Sequence, residues 1–593
     1  MEINQKSFKG GMNLLVDDTR PTADIEGDTS RSAYGININQ YRIGFNVRCR
    51  YDVLDPILSS YIDSSAPVGI KQGITTFGNY LILFCAGKAY FRPFNTIGWT
   101  QIPTFAMSPI AQRYWFIAVP LGETNYARVA TPAANSTGVA AGNTTGSASS
   151  SVNRVNIASA FFGNIPGLLV QDGVNQPQFI YLDANNFVQC KVTQTYAQWT
   201  FTWTSDPSSA TYGTVTVDER SYVPIGTYME IYNGILFIVD SEGENIYRSV
   251  SGRPLDFVVN VDINGQKGGD ATTTSYSVGV GGISCLKNLP AGLFISAGNA
   301  CFSITLNTNI NAPLLFGEYT FIRTPLFTAS CITDKAIIDI NGDTGFVDVR
   351  GLRTFNSILQ LNNEGRNSVF SKTVSSLLDD IVQNPNAVAA VNFDNYALFA
   401  VNTIYGNVIV VYDTINQVFS SVDINQFSST TGISQFALVS TDQLALFAIT
   451  TDNKVIQLYA GPNYDPCTVR FMSVCSQNPK TQVKQSEFRA ILSEFVQNST
   501  ATLTVFVDNR LSGNSEKKTI SYVAPNPAYS ASPSFTDANT QVQPLFWSTP
   551  NAAEGWKSFN VLTWTGGGRI TNILTVTTDN TPLNPLGAQA NVT

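Results

Sequence analysis

The chain has 593 residues, of which 43% are hydrophobic and only 13% are charged, against about 25% charged in average soluble domains. Its net charge is −8, so it does not have the excess of basic residues that is typical of nucleic-acid-binding proteins. Its length predicts two or three domains. It contains no histidine, which excludes Ser-His-Asp and Cys-His triads, histidine metal sites and histidine pH sensing.

Because few residues are charged, we expect the polar surface to consist mainly of amide and hydroxyl side chains. Burying an amide or hydroxyl costs less than burying a charge, so such a surface favours contact with neighbouring subunits. The eight cysteines are scattered and form no CxxC pair, which predicts reduced, buried cysteines rather than a zinc or iron–sulfur site. The N-terminus lacks the apolar core of a signal peptide, and no apolar run reaches the roughly 18 residues of a membrane span. We therefore expect a soluble protein made in a cytosol.

Residues 1–64 are irregular and rich in Asp, Arg and Asn, and we interpret them as a platform or ring-contact segment. A hairpin pattern then repeats, in which apolar runs of four to eight residues are bounded by Gly, Asn or Asp. Repetition every ~45–85 residues indicates radial repeats, and so predicts a β-propeller of about six blades over residues 65–460. The hairpins lie at residues 78–92, 163–181, 233–249, 289–305, 335–355, 394–420 and 442–459.

Two insertions interrupt this pattern. Residues near 120–160 are rich in Ala, Ser, Thr and Gly, which is typical of an inserted arm or of a disordered linker. Residues near 190–220 alternate aromatic side chains with Thr, which predicts an exposed β-hairpin.

Residues 371–382 carry Val374, Leu377, Leu378 and Ile381 on one helical face, with Ser371 as the N-cap. After residue 461 the strands become longer and alternate in polarity, so residues 461–593 are predicted to form a β-sandwich-like domain. The fold class is therefore all-β.

Candidate sites are few. Asp339, Asn341 and Asp343 alternate as in a calcium loop, but Thr344 and Arg350 replace the expected Gly and Glu, so a tight turn is favoured. The glycines at 566–568 lack the following Lys-Ser/Thr of a phosphate-binding loop, and Glu242 and Glu244 flank a turn. Residues 548–556 match the repeated motif of sialidase blades poorly. We predict no catalytic, cofactor-binding or metal-binding residue, and no enzymatic activity.

Several short motifs together resemble the tail nozzle (tail tubular protein B-like) family of short-tailed phages (podoviruses). Near the N-terminus the motifs are FKGGMN at 8–13, DDTR at 17–20, NVR at 46–48 and VLDPI at 53–57. Within the chain they are LVQDGVNQP at 169–177, YRS at 247–249 leading to PLDF at 254–257, and VRGLRTF at 349–355 before the predicted helix. Near the end they are VK at 483–484 and VFVD at 505–508.

This resemblance implies a propeller combined with platform and nozzle elements, assembled as a homo-hexamer ring in the virion tail. The implied partners are the portal-proximal adaptor ring and the tail fibres or spikes, with genomic DNA passing through the lumen without specific binding and no cofactor or direct membrane insertion. The polar insertions depart from the family pattern, so the geometry of the exposed tip stays open. A carbohydrate-binding or carbohydrate-cleaving propeller, tailspike- or lectin-like, is the alternative from a different class.

Overall fold

The computed structural model describes backbone and side chains at residues 57–119, 166–190, 223–257, 282–304, 329–355, 371–378 and 384–468, with short gaps inside several ranges. Elsewhere it describes the pairing of strands and a few single positions. The chain divides into two compact units: residues 65–334, and residues 1–64 together with 335–593. Both units are built from β-strands.

The 65–334 unit contains four small antiparallel sheets, which we name blades 1 to 4 in chain order. Blade 1 consists of Lys71–Phe77, Tyr80–Cys85, Lys88–Pro93 and Thr100–Gln101. Blade 2 consists of Trp115–Glu123, Asn164–Gln171, Gln178–Leu182 and Val188–Val192. Blade 3 consists of Gly226–Tyr232, Ile235–Asp240 and Ile246–Arg248. Blade 4 consists of Ile283–Leu289, Gly292–Ala297, Ala300–Leu306 and Phe321–Phe327.

The other unit contains three further blades. Blade 5 consists of Ile337–Ile340, Asp343–Asp348 and Gly351–Thr354. Blade 6 consists of Ala389–Phe393, Tyr396–Thr403, Gly406–Asp413 and Val418–Asp423. Blade 7 consists of Ile433–Ser440, Leu444–Thr450 and Val455–Leu458, and its fourth strand is Tyr61–Ile62 from near the N-terminus.

Inner strands of the blades are apolar without alternation because both of their faces are covered. All six residues of Ile235–Asp240 are buried, yet they face two different clusters. Leu236 and Ile238 pack against blade 2, whereas Phe237 and Val239 pack against blade 4. A strand buried on both faces reads as a continuous hydrophobic run. Each fully buried Phe or Ile contributes about 1.5–3 kcal/mol relative to an exposed one.

Similar clusters lie between blades 1 and 2 and between blades 6 and 7. Such face-to-face packing of successive small sheets characterises a β-propeller, so the all-β class and the propeller are confirmed, whereas the β-sandwich-like platform is not. The predicted count of about six blades is not confirmed, because seven blades are present. Each of the seven predicted hairpins lies in a different blade, so the hairpins themselves indicated the count better than our estimate of six.

Both insertions contain paired strands. Tyr126–Pro132 pairs with Val155–Phe161, and Gln194–Thr202 pairs with Thr214–Tyr222, as predicted for the aromatic hairpin. A short strand, Val139–Ala140, joins the second of these sheets. Apart from these strands, the predicted arm between 120 and 160 lies outside the described residues.

Long strands follow residue 466 and pair with strands from the N-terminal segment. One sheet joins Gln543–Gly555, Thr481–Ser493, Arg569–Pro582, Val53–Pro56, Ile38–Asn39 and Glu2–Gln5. The other joins Ser515–Val523, Thr500–Asp508, Lys557–Thr565, Cys467–Cys475 and Tyr34–Ile36, and continues into blade 6. Gly11–Met12 pairs with Arg31–Ser32 in parallel.

Helical structure is short among the described residues. An α-helix covers Ser375–Leu378, and 3-10 turns cover Asp334–Ala336 and Pro385–Ala387. Val374 and Leu378 are fully buried, as predicted, and residues 379–382 lie outside the described residues. The predicted cap differs: the Ser371 hydroxyl accepts a hydrogen bond from the Leu352 amide at 3.1 Å, so it ties the helix start to blade 5.

Candidate functional site

Arg113 lies at the centre of a polar and aromatic cluster in the 65–334 unit. We name this cluster the Arg113 clamp and define it by Arg113, Trp115, Tyr228, Thr333 and Asp334. The guanidinium lies over the Trp115 ring at 4.7 Å and over the Tyr228 ring at 5.5 Å. The two rings meet edge to face at 5.8 Å. Blade 2 begins beside Arg113, blade 3 contributes Tyr228, and Asp334 follows blade 4, so the clamp ties three blades together.

The polar partners of Arg113 are on the segment after blade 4. Its Nη2 donates to both carboxylate oxygens of Asp334, at 2.7 and 2.8 Å, and its Nη1 donates to the Thr333 hydroxyl at 3.3 Å. The exposed fractions of the Arg113 and Asp334 side chains are 13% and 28%. A charge-assisted bond of this kind is stronger than a neutral one, and burial between two rings strengthens the cation–π contact.

This geometry decides what the clamp can do chemically. Both terminal nitrogens of Arg113 are engaged, and among the described residues its Nε is buried without a hydrogen-bond partner. Burial raises the pKa of Tyr228 to about 12, against the lowering effect of the Arg113 charge, so its hydroxyl stays protonated near neutrality. The clamp therefore offers no free donor fork to an anionic ligand and acts as a structural tie.

Glu230 and Lys287 form a weaker polar link between the first strands of blades 3 and 4. The Lys287 Nζ lies 3.8 Å from a Glu230 carboxylate oxygen, and Asn288 beside it donates to the Ile231 carbonyl at 3.0 Å. Burial raises the pKa of Glu230, and the Lys287 charge opposes that rise. The link fixes the spacing of two neighbouring strands.

An aspartate near a hairpin loop in several blades accepts hydrogen bonds from that loop. Asp172 in blade 2 and Asp413 in blade 6 each accept bonds from the main chain two and three residues ahead. Each also accepts from the side-chain amide of the Asn three residues ahead, at 2.6 Å. Burial alone would raise the pKa of Asp172, but bonds from Asn175 and from the Ser108 and Val174 amides hold it below its usual value.

Sequence reasoning missed this Asp-x-x-Asn turn and noted only the general Asp/Gly character of the turns. The signal was present in the repeated spacing of DGVN at 172–175 and DTIN at 413–416. Asp240 in blade 3 stabilises a longer loop in the same way, because it accepts hydrogen bonds from the Glu244 amide and from the Asn245 side chain. The repeated aspartates thus support loops: they accept bonds from their own turns, and Asp172 also accepts from the Ser108 amide at 2.8 Å.

The predicted turn at residues 339–345 is confirmed. Ile340 pairs with Asp343 across Asn341 and Gly342, which both have positive φ, as a two-residue hairpin requires. Asp339 accepts from the Gly342 amide, and Asp343 accepts from the Thr344 amide. These oxygens serve the turn.

The remaining candidates also lie in turns where they are described. Glu242 and Glu244 are exposed, as predicted. Gly566 follows a strand and has a φ of 85°, which fits a turn, while Gly567 and Gly568 lie outside the described residues. Residues 548–555 belong to the long strand Gln543–Gly555, whose side chains are outside the described set.

Six cysteines are described, and all are buried, as predicted. Over the described part of the chain, no group of three or more acidic or cysteine side chains is arranged to hold a metal ion. Within the same limits, no helix has both the length and the hydropathy needed to cross a membrane.

Comparisons with known proteins add little to this picture. No family model and no curated protein matches the chain. Among solved structures, the extracellular domains 1–2 of Drosophila Semaphorin 1a match with a TM-score of 0.29 and 8% identity, covering 68% of this chain and 88% of that one. The extracellular domain of a one-component system from B. thetaiotaomicron matches with a TM-score of 0.29 and 11% identity, covering 79% of this chain and 65% of that one. Similarities this low identify no family and no activity, and the fold assignment rests on the strand pairing.

Proposed function

We propose that this chain is a structural subunit of a phage tail nozzle, forming a ring-shaped channel that retains genomic DNA and conducts it during ejection. The observation that carries the proposal is the combination of propeller blades with long-stranded sheets that pair the two ends of the chain. The resembled family combines a propeller with a platform in the same way. We assign the long-stranded region, residues 1–64 and 461–593, to that platform.

Where they are described, the motifs that resemble the family lie on strands and in the loops that follow them. Asp172 supports the blade 2 loop, and the Ser249 hydroxyl accepts from the Leu236 amide at 2.9 Å in blade 3. In blade 5, Arg353 pairs with Asp348 at 2.6 Å, and both are buried. These residues stabilise the blades, which supports a shared architecture over a shared catalytic site.

The proposed assembly is a homo-hexamer in the virion tail, between the adaptor ring and the tail fibres or spikes. Six copies at −8 each give a ring of about −48 (6 × −8), screened over about 8–10 Å at physiological salt. Acidic and amide side chains on a channel wall repel the duplex and avoid the counterion-release affinity that Lys and Arg contribute. The nozzle therefore guides DNA without binding it, and no enzymatic step is needed.

Electron microscopy of the purified chain, alone and mixed with the adaptor ring, tests this proposal. We expect six-fold rings with an open lumen, and duplex binding that is weak at physiological salt. A monomer or trimer that binds a defined glycan would overturn the proposal and favour the carbohydrate-binding alternative. Tight, salt-sensitive duplex binding by the ring would overturn the conduit mechanism alone.

A further inference from the structure

Two buried cysteines, Cys285 and Cys331, lie beside each other at blade 4, and we name them the thiol pair. Cys285 is on the first strand of the blade, whereas Cys331 is on the segment that follows the last strand. Their side chains are hydrogen-bonded to each other, and they are 0% and 1% exposed. Both residues are thiols in this structure. Neither thiol belongs to the Arg113 clamp or to a blade turn, so their contact needs a separate explanation.

A β-bulge in the first strand of blade 4 places Cys285. The pairing with the second strand shifts between Ile283 and Cys285, which leaves Ser284 as an extra residue. A bulge of this kind re-aims the side chains near it. Ser284 and Cys285 therefore both lie near Ser296, and the Ser284 hydroxyl donates to the Ser296 hydroxyl at 3.1 Å. The bulge thus gathers one thiol and two hydroxyls at one point of the blade.

The same two serine hydroxyls fix the main chain of Cys331. The Cys331 amide donates to the Ser296 hydroxyl at 2.9 Å, and the Cys331 carbonyl accepts from the Ser284 hydroxyl at 2.7 Å. The Ser296 hydroxyl also lies 3.3 Å from that carbonyl. Ser296 is fully buried, so a hydrogen bond there is electrostatically stronger than in water. Direct hydrogen bonds therefore hold one cysteine against the strand neighbours of the other.

The thiol pair is also connected to the Arg113 clamp. The Cys331 thiol donates to the Thr333 carbonyl at 3.0 Å. The Thr333 hydroxyl donates to the Asp334 carboxylate at 3.0 Å and accepts from Arg113 at 3.3 Å. Hydrogen bonding to Cys331, followed by burial, raises the pKa of the Cys285 thiol well above its usual range, so Cys285 stays protonated and donates. The Cys331 sulfur therefore lies between a thiol donor and the clamp.

We propose that the thiol pair is a redox modification site, at which hydrogen peroxide forms an internal disulfide between Cys285 and Cys331. Peroxide first oxidises the Cys331 sulfur: the O–O bond breaks, one oxygen forms a sulfenic acid, and the other leaves as water. The Cys285 sulfur then attacks the Cys331 sulfur, the S–O bond breaks, and a second water leaves. In total, two thiols lose two electrons and two protons, and one peroxide is reduced to two waters.

Forming this bond needs a movement of the Cys331 segment. Two sulfurs in hydrogen-bond contact must approach to about 2.05 Å to form the disulfide. Cys285 belongs to a strand ladder, whereas Cys331 lies between the last strand of blade 4 and a 3-10 turn, so Cys331 is the residue that shifts. The disulfide replaces a weak S–H donor to the Thr333 carbonyl by a covalent link that closes a long loop. Because the link outweighs the lost hydrogen bond, oxidation stabilises the segment that carries Thr333 and Asp334.

The thiol pair responds to the redox state of its surroundings. Thiols persist in a reducing cytosol, whereas disulfides form and persist in an oxidising exterior. In a subunit of a released particle, the crosslink therefore forms after assembly and stabilises blade 4 outside the host. This setting rests on the proposed function, whereas the bond itself depends only on the fold of the chain.

Oxidation of the purified full-length chain tests the proposal. The chain is reduced, treated with hydrogen peroxide for hours because buried thiols react slowly, alkylated in denaturant, and digested without reductant for mass spectrometry. We expect the main disulfide to join the peptides of Cys285 and Cys331, with a mass lower than their sum by two hydrogens. The same oxidation after unfolding in urea is the control and should give mixed pairs among the eight cysteines. Cys331→Ser should prevent the crosslink, whereas Cys190→Ser, in blade 2, should keep it.

The crosslink should also raise the melting temperature by about 2 °C or more, and dithiothreitol should remove this rise because it reduces the disulfide. A folded wild type in which Cys285 and Cys331 are both alkylated after oxidation, or whose main disulfide joins another pair, would overturn the proposal. So would a crosslinked chain whose melting temperature does not rise. The wild-type measurement needs no variant, so it decides the matter even if Cys331→Ser does not fold. None of these results depends on ring formation, so the proposed function is tested separately.

Discussion

Two buried sites, one in each unit of the chain, treat charge in opposite ways. In the 65–334 unit, the Arg113 guanidinium pairs with Asp334 and lies between two aromatic rings. In the other unit, Asp423 and Asp465 are 2% and 4% exposed, and burial together with the negative charge of Asp423 raises the pKa of Asp465 to about 6. Opposite charges buried together stabilise each other, whereas like charges buried near each other repel. The first arrangement fixes its blades, and the second costs free energy when both carboxylates are charged.

Breaking the Arg113 clamp should have the largest effect. Arg113→Ala leaves Asp334 without its cation and removes the contact with both rings, so we expect the free energy of unfolding to fall by about 3 kcal/mol. Chemical denaturation measures this. The control Lys454→Ala breaks a salt bridge whose side chains are 47% and 34% exposed, and should change stability by less than about 1 kcal/mol. Equal effects of the two variants would contradict a structural role for the clamp.

Removing a loop aspartate should have the next largest effect. Asp172→Ala leaves the amides of Ser108, Val174 and Asn175 without their acceptor, and we expect a loss of about 2 kcal/mol. Glu242→Ala, in an exposed turn of the same unit, is the matched control and should be neutral within about 0.5 kcal/mol. An Asp172 variant as stable as this control would show that the Asp-x-x-Asn turn contributes nothing to the free energy of unfolding.

The hairpins and their blades could be predicted from the sequence because each depends on neighbouring residues: an apolar run that ends at Gly, Asn or Asp. The Arg113 clamp could not, because Arg113 and Asp334 are separated by 221 positions and nothing local links them. The same holds for Asp423 and Asp465, which only the packing of two blades brings together. Ser371 shows the limit within one motif: its sequence context predicts a helix cap, but its hydroxyl serves the blade 5 strand instead.

Replacing one carboxylate of the Asp423–Asp465 pair should raise stability, whereas breaking the Arg113 clamp should lower it. At pH 7.5, Asp465→Asn removes a buried charge and its repulsion, so we expect the melting temperature to rise by about 2 °C or more. At pH 4.5 the gain should shrink, because wild-type Asp465 is then protonated. Calorimetry at both pH values makes the comparison, and a variant that is less stable at pH 7.5 would contradict it.

The inserted arm should have the smallest effect on folding. Deleting residues 131–151 removes polar sequence that carries few apolar side chains for a core, so we expect the melting temperature to change by less than about 2 °C. We predict that the arm and the aromatic hairpin at 194–204 project towards the tip, lumen or neighbouring proteins, so the deletion should impair tail assembly or DNA delivery. A deletion variant that unfolds would show that this segment belongs to the core.

Cryo-electron microscopy of the particle that carries this chain tests its proposed role most directly. If the chain is a nozzle subunit, its seven-bladed fold should fit the density in six copies around the tail axis, below the adaptor ring, with acidic and amide side chains on the channel wall. Density for the chain away from that axis, in two or three copies, or with a continuous positive stripe along the lumen, would contradict a low-friction DNA conduit.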